Sequence, residues 1–174
     1  MRKIILNLAV SLDGFIEGPN GEFDWCMTDQ DYGMTEFMNR VDTILFGRKS
    51  YELLIKMDPT AYPDKAKYVF SHTLPIVPAP VHLVSGDVTK VVEQIKSQPG
   101  KDIWLFGGAN LTTRFINAGL IDELQLSIHP LLLGKGKPLF SGIESRVPYT
   151  LIDTKTYATG LLQVFYQLNE NSPE

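Results

Sequence analysis

Ile103-Trp104-Leu105-Phe106-Gly107-Gly108-Ala109-Asn110-Leu111 is the stretch on which the reading of this chain turns. An apolar run stops at two glycines, and a helical pattern begins at once. The run reads as a buried strand that delivers bare main chain to a helix N-terminus. Glycine has no Cβ, so a ligand can approach the backbone closely there. Unpaired N–H groups and the positive end of the helix dipole converge at the same point, which suits a phosphate. The same glycines also suit close strand–helix packing, and the pair alone leaves both readings open.

Working outward, strand and helix patterns alternate. Ile4–Val10 reads as a buried strand, followed by a loop over 11–25 dense in turn signals: Asp13-Gly14, Gly18-Pro19 and Asn20-Gly21. A loop of that length in a compact domain is more often functional than idle. Residues 28–40 show a weak helical pattern interrupted by Gly33. A short strand at 42–46 leads into a helix over 47–56, with Tyr51, Leu54 and Ile55 on one face. A strand at 68–71 is followed by a proline-bearing stretch, 74–80, that cannot be central sheet. A strand at 81–85 precedes a helix capped by Asp87, with Val88, Val91, Val92 and Ile95 along one side. The helix after Gly108 buries Leu111, Phe115 and Ala118 and ends at Gly119. Residues 123–129 read as a strand with Leu124, Leu126 and Ile128 facing one way. Residues 131–140 read as a loop or irregular edge. Residues 149–157 and 161–168 form a hairpin turning near Thr159-Gly160. The order predicts one α/β domain over 1–168, with a mostly parallel twisted sheet and an antiparallel C-terminal hairpin, and a frayed polar tail at 169–174.

Bulk properties narrow the function. The 174 residues suit one domain. A formal charge of −4 argues against nucleic-acid or anionic-membrane partners. The single cysteine, Cys26, excludes an internal disulfide and a cysteine-rich zinc site, and fits a reducing, cytoplasmic compartment. His72, His82 and His129 have no metal-ligand spacing, and no metal is expected. No apolar run approaches the length of a transmembrane helix.

Three strand exits fall on one predicted edge, where ligands of doubly wound sheets bind. Gly47-Arg48-Lys49 places two cations in a first helical turn, where they oppose the dipole unless an anion sits there. A solvated surface pair is the alternative. Ser71-His72-Thr73 offers hydroxyls and an imidazole, or ordinary loop polarity. The turn at Gly107 opens a helix whose first turn lacks Asp and Glu. Together the exits describe a site for an extended, multiply phosphorylated ligand, although neither a Gly-x-Gly-x-x-Gly nor a Walker pattern is present.

Five motifs in order carry a resemblance over nearly the whole chain. They are Ala9–Ile16 (AVSLDGFI), Asp42–Tyr51 (DTILFGRKSY), Phe106–Leu111 (FGGANL), Ile121–Leu124 (IDEL) and Pro130–Phe140 (PLLLGKGKPLF). The chain resembles the dihydrofolate-reductase-like superfamily, and more closely the reductase domain of the bifunctional riboflavin-biosynthesis deaminase-reductase and its small single-domain relatives. The resemblance implies a three-layer α/β fold, a homodimer and NADPH as hydride donor. It implies that Gly47, Arg48 and Lys49 hold the 2′-phosphate and pyrophosphate side, and that Ser71 and His72 border the adenosine 2′-phosphate. Gly107, Gly108, Ala109, Asn110 and Leu111 would cradle the pyrophosphate. Ala9 and Ile16 would line the nicotinamide pocket, with 14–25 as a lid. The deaminase half needs a zinc motif that this chain lacks.

The substrate side is sparser. The dihydrofolate reductases place an acidic residue on the first helix, and counting back from Gly47 selects Asp31 as the catalytic candidate; a helix cap or a solvated carboxylate is the competing reading. Trp25 could shield a reacting ring or simply pack in the core. Asp13 could face substrate or organise its Ser-Leu-Asp-Gly turn. Hydride transfer needs alignment and water exclusion more than acid–base side chains, so the lack of an obvious pair does not exclude a reductase. The implied substrate is a small pteridine- or aminopyrimidine-type molecule, with the phosphoribosylamino-uracil of riboflavin synthesis as the named candidate. Dihydrofolate reduction is the alternative enzyme activity. A nucleotide-binding protein without catalysis is the alternative outside enzymes. The sequence also points to a homodimer, from a terminal hairpin rich in Leu161, Leu162, Val164, Phe165 and Tyr166 that needs covering.

Overall fold

The computed structural model describes residues 1–169. In chain order the elements are β1 (Ile4–Ser11), β2 (Phe15–Glu17), α1 (Met34–Arg40), β3 (Val41–Gly47), α2 (Arg48–Met57), β4 (Ala66–Phe70) and β5 (His82–Val84). There follow α3 (Val88–Ser97), β6 (Asp102–Gly107), α4 (Ala109–Asn117), β7 (Glu123–His129), β8 (Lys137–Pro138), β9 (Tyr149–Thr156) and β10 (Leu162–Leu168). Eight strands form one sheet in the order β5-β4-β3-β6-β1-β7-β10-β9. Neighbours from β5 through β7 are parallel, and β10 is antiparallel to both β7 and β9. This is the expected α/β architecture, a mostly parallel sheet closed by an antiparallel hairpin.

Period-two alternation along the central strands sorts side chains into two cores. Ile4, Leu6, Leu45, Ile103 and Leu105 face α3 and α4, which contribute Val88, Val92, Ile95, Leu111, Phe115 and Ile116. Ile5, Ile44, Phe46, Val69 and Trp104 face the other way, onto Phe37 of α1 and Tyr51 of α2. Helices on both faces make three layers. Asp87 caps α3 by accepting from the Thr89 and Lys90 N–H groups. Gly119, at φ 63°, ends α4. Its N–H donates to the Ile116 carbonyl and that of Leu120 to the Phe115 carbonyl, a Schellman closure.

Four local expectations are corrected. The helix expected over 28–40 begins only at Met34, because Tyr32 and Gly33 take positive φ (50° and 77°) and break the pattern. The 11–25 loop contains β2, which pairs with β8. Ile55 and Ala118 do not join the cores that their helix faces predicted; Ile55 is exposed on α2, and Ala118 is exposed at the end of α4. The strand Leu162–Leu168 is not a sheet edge: β10 lies between β7 and β9, and Leu161 and Val164 are buried. The edge on the hairpin side is β9, where Leu151 and Ile152 are about half exposed; the opposite edge is β5. Asn169, placed in the tail by the sequence, is tied to Pro148 and Thr150; the remainder of that tail, 170–174, lies outside the described residues. Among the described residues no helix is long and apolar enough to cross a membrane, and no group of three or more His, Cys, Asp or Glu is placed to hold a metal ion.

Candidate active site

The three strand exits do share one edge, because β3, β4 and β6 are mutually parallel. Two of them abut. Gly107 and Gly108 take φ of 120° and 98°, a region that L side chains rarely enter. A Cβ on Gly108 would sit 3.2 Å from Ser50 Oγ, and one on Gly47 3.3 Å from the Gly107 carbonyl oxygen. The start of α2 is thus pressed against the start of α4. Neither helix has a side-chain cap or an acidic residue in its first turn. Two positive helix ends lie side by side with bare backbone between them, a cradle a Cβ would fill and an arrangement that an external phosphate would stabilise.

The cations at this edge differ in availability. Arg48 Nη1 donates to Glu52 at 3.1 Å, along its own helix. Lys49 and His72 are exposed. Ser71 is buried, and its Oγ accepts from the Thr73 and Leu74 N–H groups at 3.1 Å, so the hydroxyl shapes the turn. Ala109 and Leu111 are buried, leaving main chain as what they offer a ligand, while Asn110 is exposed.

At the same end of the sheet, beyond β1, the second face is not filled by a core. A cleft of about 1110 Å³ lies between α1 and the β1–β7–β10–β9 half of the sheet. Its floor is the polar side of the alternation: Asn7 and Ala9 on β1, Gln125, Ser127 and His129 on β7, Gln163 and Phe165 on β10. An aromatic wall closes one side. Trp104 meets Phe37 edge-on at 5.4 Å and packs on Phe106 at 4.9 Å, with its indole N–H donating to the Asn7 carbonyl at 3.0 Å.

The chain segment before α1 crosses this cleft and is pinned at both ends. The Met27 N–H donates to His129 Nε2 at 3.0 Å, while His129 Nδ1 faces the Ser127 carbonyl at 3.0 Å. An acceptor at Nε2 and a donor at Nδ1 fix the neutral imidazole, and burial pushes its pKa below the usual 6.5. Trp25 packs edge-on against the same ring at 5.2 Å. At the other end, Gln163 Nε2 donates to the Tyr32 carbonyl at 2.8 Å and to Ser127 Oγ at 3.0 Å, and Tyr32 stacks edge-on with Tyr157 at 4.8 Å. Cys26 lines the cleft, with its thiol pushed up to about 11 by burial.

The residues expected from sequence fall into groups. Ala9 and Asp31 line the cleft; Ile16, partly buried, packs against the core on the other face of the sheet instead. Asp31 accepts from the Thr35 N–H and hydroxyl, which hold its carboxyl below the usual range, so it starts α1 from the rim. Asp13 lies away from the cleft lining. It accepts from Ser11 Oγ, the Leu133 N–H and the Gly134 N–H, tying its turn to the 131–134 loop. Trp25 rests on His129 at the back of the crossing segment. Asn7, Gln125, Gln163 and the aromatic wall went unnoticed in the sequence. Their signal was available on β7, since Leu124, Leu126 and Ile128 facing one core leaves Gln125, Ser127 and His129 on the opposite side.

Residues 2–163 match the model of the RibD C-terminal domain. The chain belongs to this family. It is 47% identical to the uncharacterised protein YyaP of Bacillus subtilis, over 97% of this chain and 96% of that one. Among solved structures, a riboflavin biosynthesis protein described as putative, from Shewanella, superposes with a TM-score of 0.85 at 29% identity, covering 98% of this chain and 100% of that chain. The dihydrofolate reductase of Enterococcus faecalis, solved with NADP(H), superposes with a TM-score of 0.71 at 17% identity, covering 97% of each chain, and so shares the fold. The RibD C-terminal domain family thus carries a dihydrofolate-reductase-like fold here, as the sequence motifs implied.

Proposed function

We propose that this protein is an NADPH-dependent reductase of a small, flat heterocycle of the pteridine or aminopyrimidine type. Its family and fold support a reductase of the pyrimidine-reductase and dihydrofolate-reductase kind. The observation that carries the cofactor is the abutment of two uncapped helix N-termini at Gly47 and Gly107-Gly108, beside exposed Lys49. Gly47, Lys49 and the 107–111 backbone would take the phosphates, Ser71 and His72 the adenosine side, and Ala9 the nicotinamide end. Arg48 would join once released from Glu52. When bound, NADPH supplies a hydride.

The chain's own residues position and shield. Ala9 keeps the floor low where the two sites meet. Phe37, Trp104 and Phe106 offer a flat apolar surface for a ring and keep water from it. Asn7 and Gln125 offer amides to a heterocycle's polar edge. The crossing segment, held by His129 and Gln163, covers the cleft. His129 gives no proton in this arrangement, because its Nε2 already accepts from Met27. Asp31 is ionised near neutral pH, since Thr35 lowers its pKa. Neither His129 nor Asp31 therefore supplies the proton that accompanies the hydride.

The test is a titration of the purified protein with NADPH, followed by loss of NADPH absorbance across a pteridine and aminopyrimidine panel. Binding with turnover supports the proposal. Binding without turnover of any member would leave a nucleotide-binding protein, and absence of binding would remove both readings. We also propose that the protein acts as a homodimer in the cytoplasm, with no nucleic-acid or membrane partner.

A further inference from the structure

We propose that the cleft takes an uncharged or cationic heterocycle, and discriminates against substrates bearing a phosphate or a carboxylate tail. This rests on the reductase reading above and narrows its substrate class. Charge is the ground. The charged residues lining the cleft are Asp31, Glu36, Arg40, Glu123, Asp153 and Lys155, with carboxylates outnumbering cations two to one.

Arg40 is not left for a ligand anion, and Lys155 stands among carboxylates. Arg40 donates from Nε to Asp102 and from Nη1 to Glu123, both at 2.8 Å. Glu123 is 3% exposed and has a second cation, Lys3, at 2.7 Å. Pulling Arg40 toward a substrate would strip a buried carboxylate of a partner. Lys155 is more loosely held, 3.4 Å from Glu36 and over the Phe165 ring at 5.5 Å. Asp153 shares its face of β9, because it pairs with Phe165 as Lys155 pairs with Gln163. A phosphate approaching this ammonium meets two carboxylates as well. Among the described residues, Asp31 and Asp153 make no ion pair and carry unmatched negative charge at the rim. The opposite holds at the Gly47 and Gly107 exits, with uncapped helix N-termini and no first-turn acid. The molecule thus places its anion-binding features at the cofactor edge and its carboxylates around the substrate cleft. An aromatic wall with carboxylates at the rim suits a flat ring carrying amino groups, which donate to those carboxylates.

The experiment uses the full chain saturated with NADPH and two matched pairs: dihydrobiopterin against dihydrofolate, and the ribosylamino-uracil against its phosphate. Initial rates and calorimetric affinities are measured at low and high salt. The expected result is at least about a tenfold advantage in kcat/KM or affinity for the member without the anion, shrinking as salt screens the carboxylates. The double variant Glu36→Gln/Asp153→Asn, which frees Lys155, should lower KM for the phosphorylated member at least about fivefold more than for its partner. Equal or better use of the phosphate- or glutamate-bearing member by the unaltered protein overturns the proposal, as does failure of every probe to bind the NADPH-loaded protein. NADPH affinity is measured first and separately, so failure of the reductase reading is seen on its own.

Discussion

Gly108 carries two constraints at once: φ of 98°, and 3.2 Å of clearance between an added Cβ and Ser50 Oγ. At φ 98° and ψ 113° a side chain costs about 1–3 kcal/mol of backbone strain before any clash is counted. Gly108→Ala is therefore expected to lower stability in urea by about that amount and to weaken NADPH binding more than Lys49→Ala does. Unchanged binding in Gly108→Ala would detach the cofactor from this turn. A second residue makes an opposite prediction. Thr112 is 1% exposed, and its Oγ1 is the buried side-chain polar atom without a hydrogen-bond partner among the described residues. Thr112→Val keeps the shape and removes the desolvated hydroxyl, so stability should rise by about 1 kcal/mol, read as a higher urea midpoint. A fall of that size would show that the hydroxyl is satisfied in solution.

At the scale of elements, the segment crossing the cleft depends on neutral His129. Its pKa is lowered in the folded state, so the contact is complete above the ordinary imidazole value of 6.5 and is lost as pH falls below it toward the lowered value. Amide exchange over residues 23–33 should quicken as pH falls from about 7.5 to about 5, after correction for intrinsic rates. His129→Gln, which still offers an acceptor to Met27 but does not titrate, should abolish the step; persistence of the step in that variant would assign it elsewhere. The sequence exposed the strand–helix exits because glycine at a fixed place in an apolar run has a local physical cause. It did not expose this crossing segment. Met27 meets His129 across 102 positions of chain and Gln163 meets Tyr32 across 131, pairings that no local pattern encodes. The weak helix before Gly33 failed for a related reason: Tyr32 takes a positive φ that its residue type disfavours, and contacts from β10 hold it there.

For the whole molecule, two long-range features matter. The first is the edge. The hairpin was legible in the sequence, but its order in the sheet was not: β9 pairs with β10 on one side and is open on the other, with Leu151 and Ile152 about half exposed. The eight residues of β9 contain no proline to blunt pairing. Since Ile152, Asp153 and Lys155 also line the cleft, a second copy seated on this edge would border it. Light scattering on the eluting protein should give twice the 19.5 kDa chain mass, and a charge placed at Leu151 should halve it. A single-chain mass at working concentration would reject the dimer. The second feature is the carboxyl end of the central strands, where the bare ends of α2 and α4 abut at Gly47 and Gly108. Its most direct test is a calorimetric titration of the unaltered protein with NADPH and, in parallel, NADH. Binding of NADPH at micromolar concentration, with at least about a tenfold preference over NADH lost in Lys49→Ala, is the predicted result. No heat of binding with either nucleotide at high micromolar concentration would contradict it.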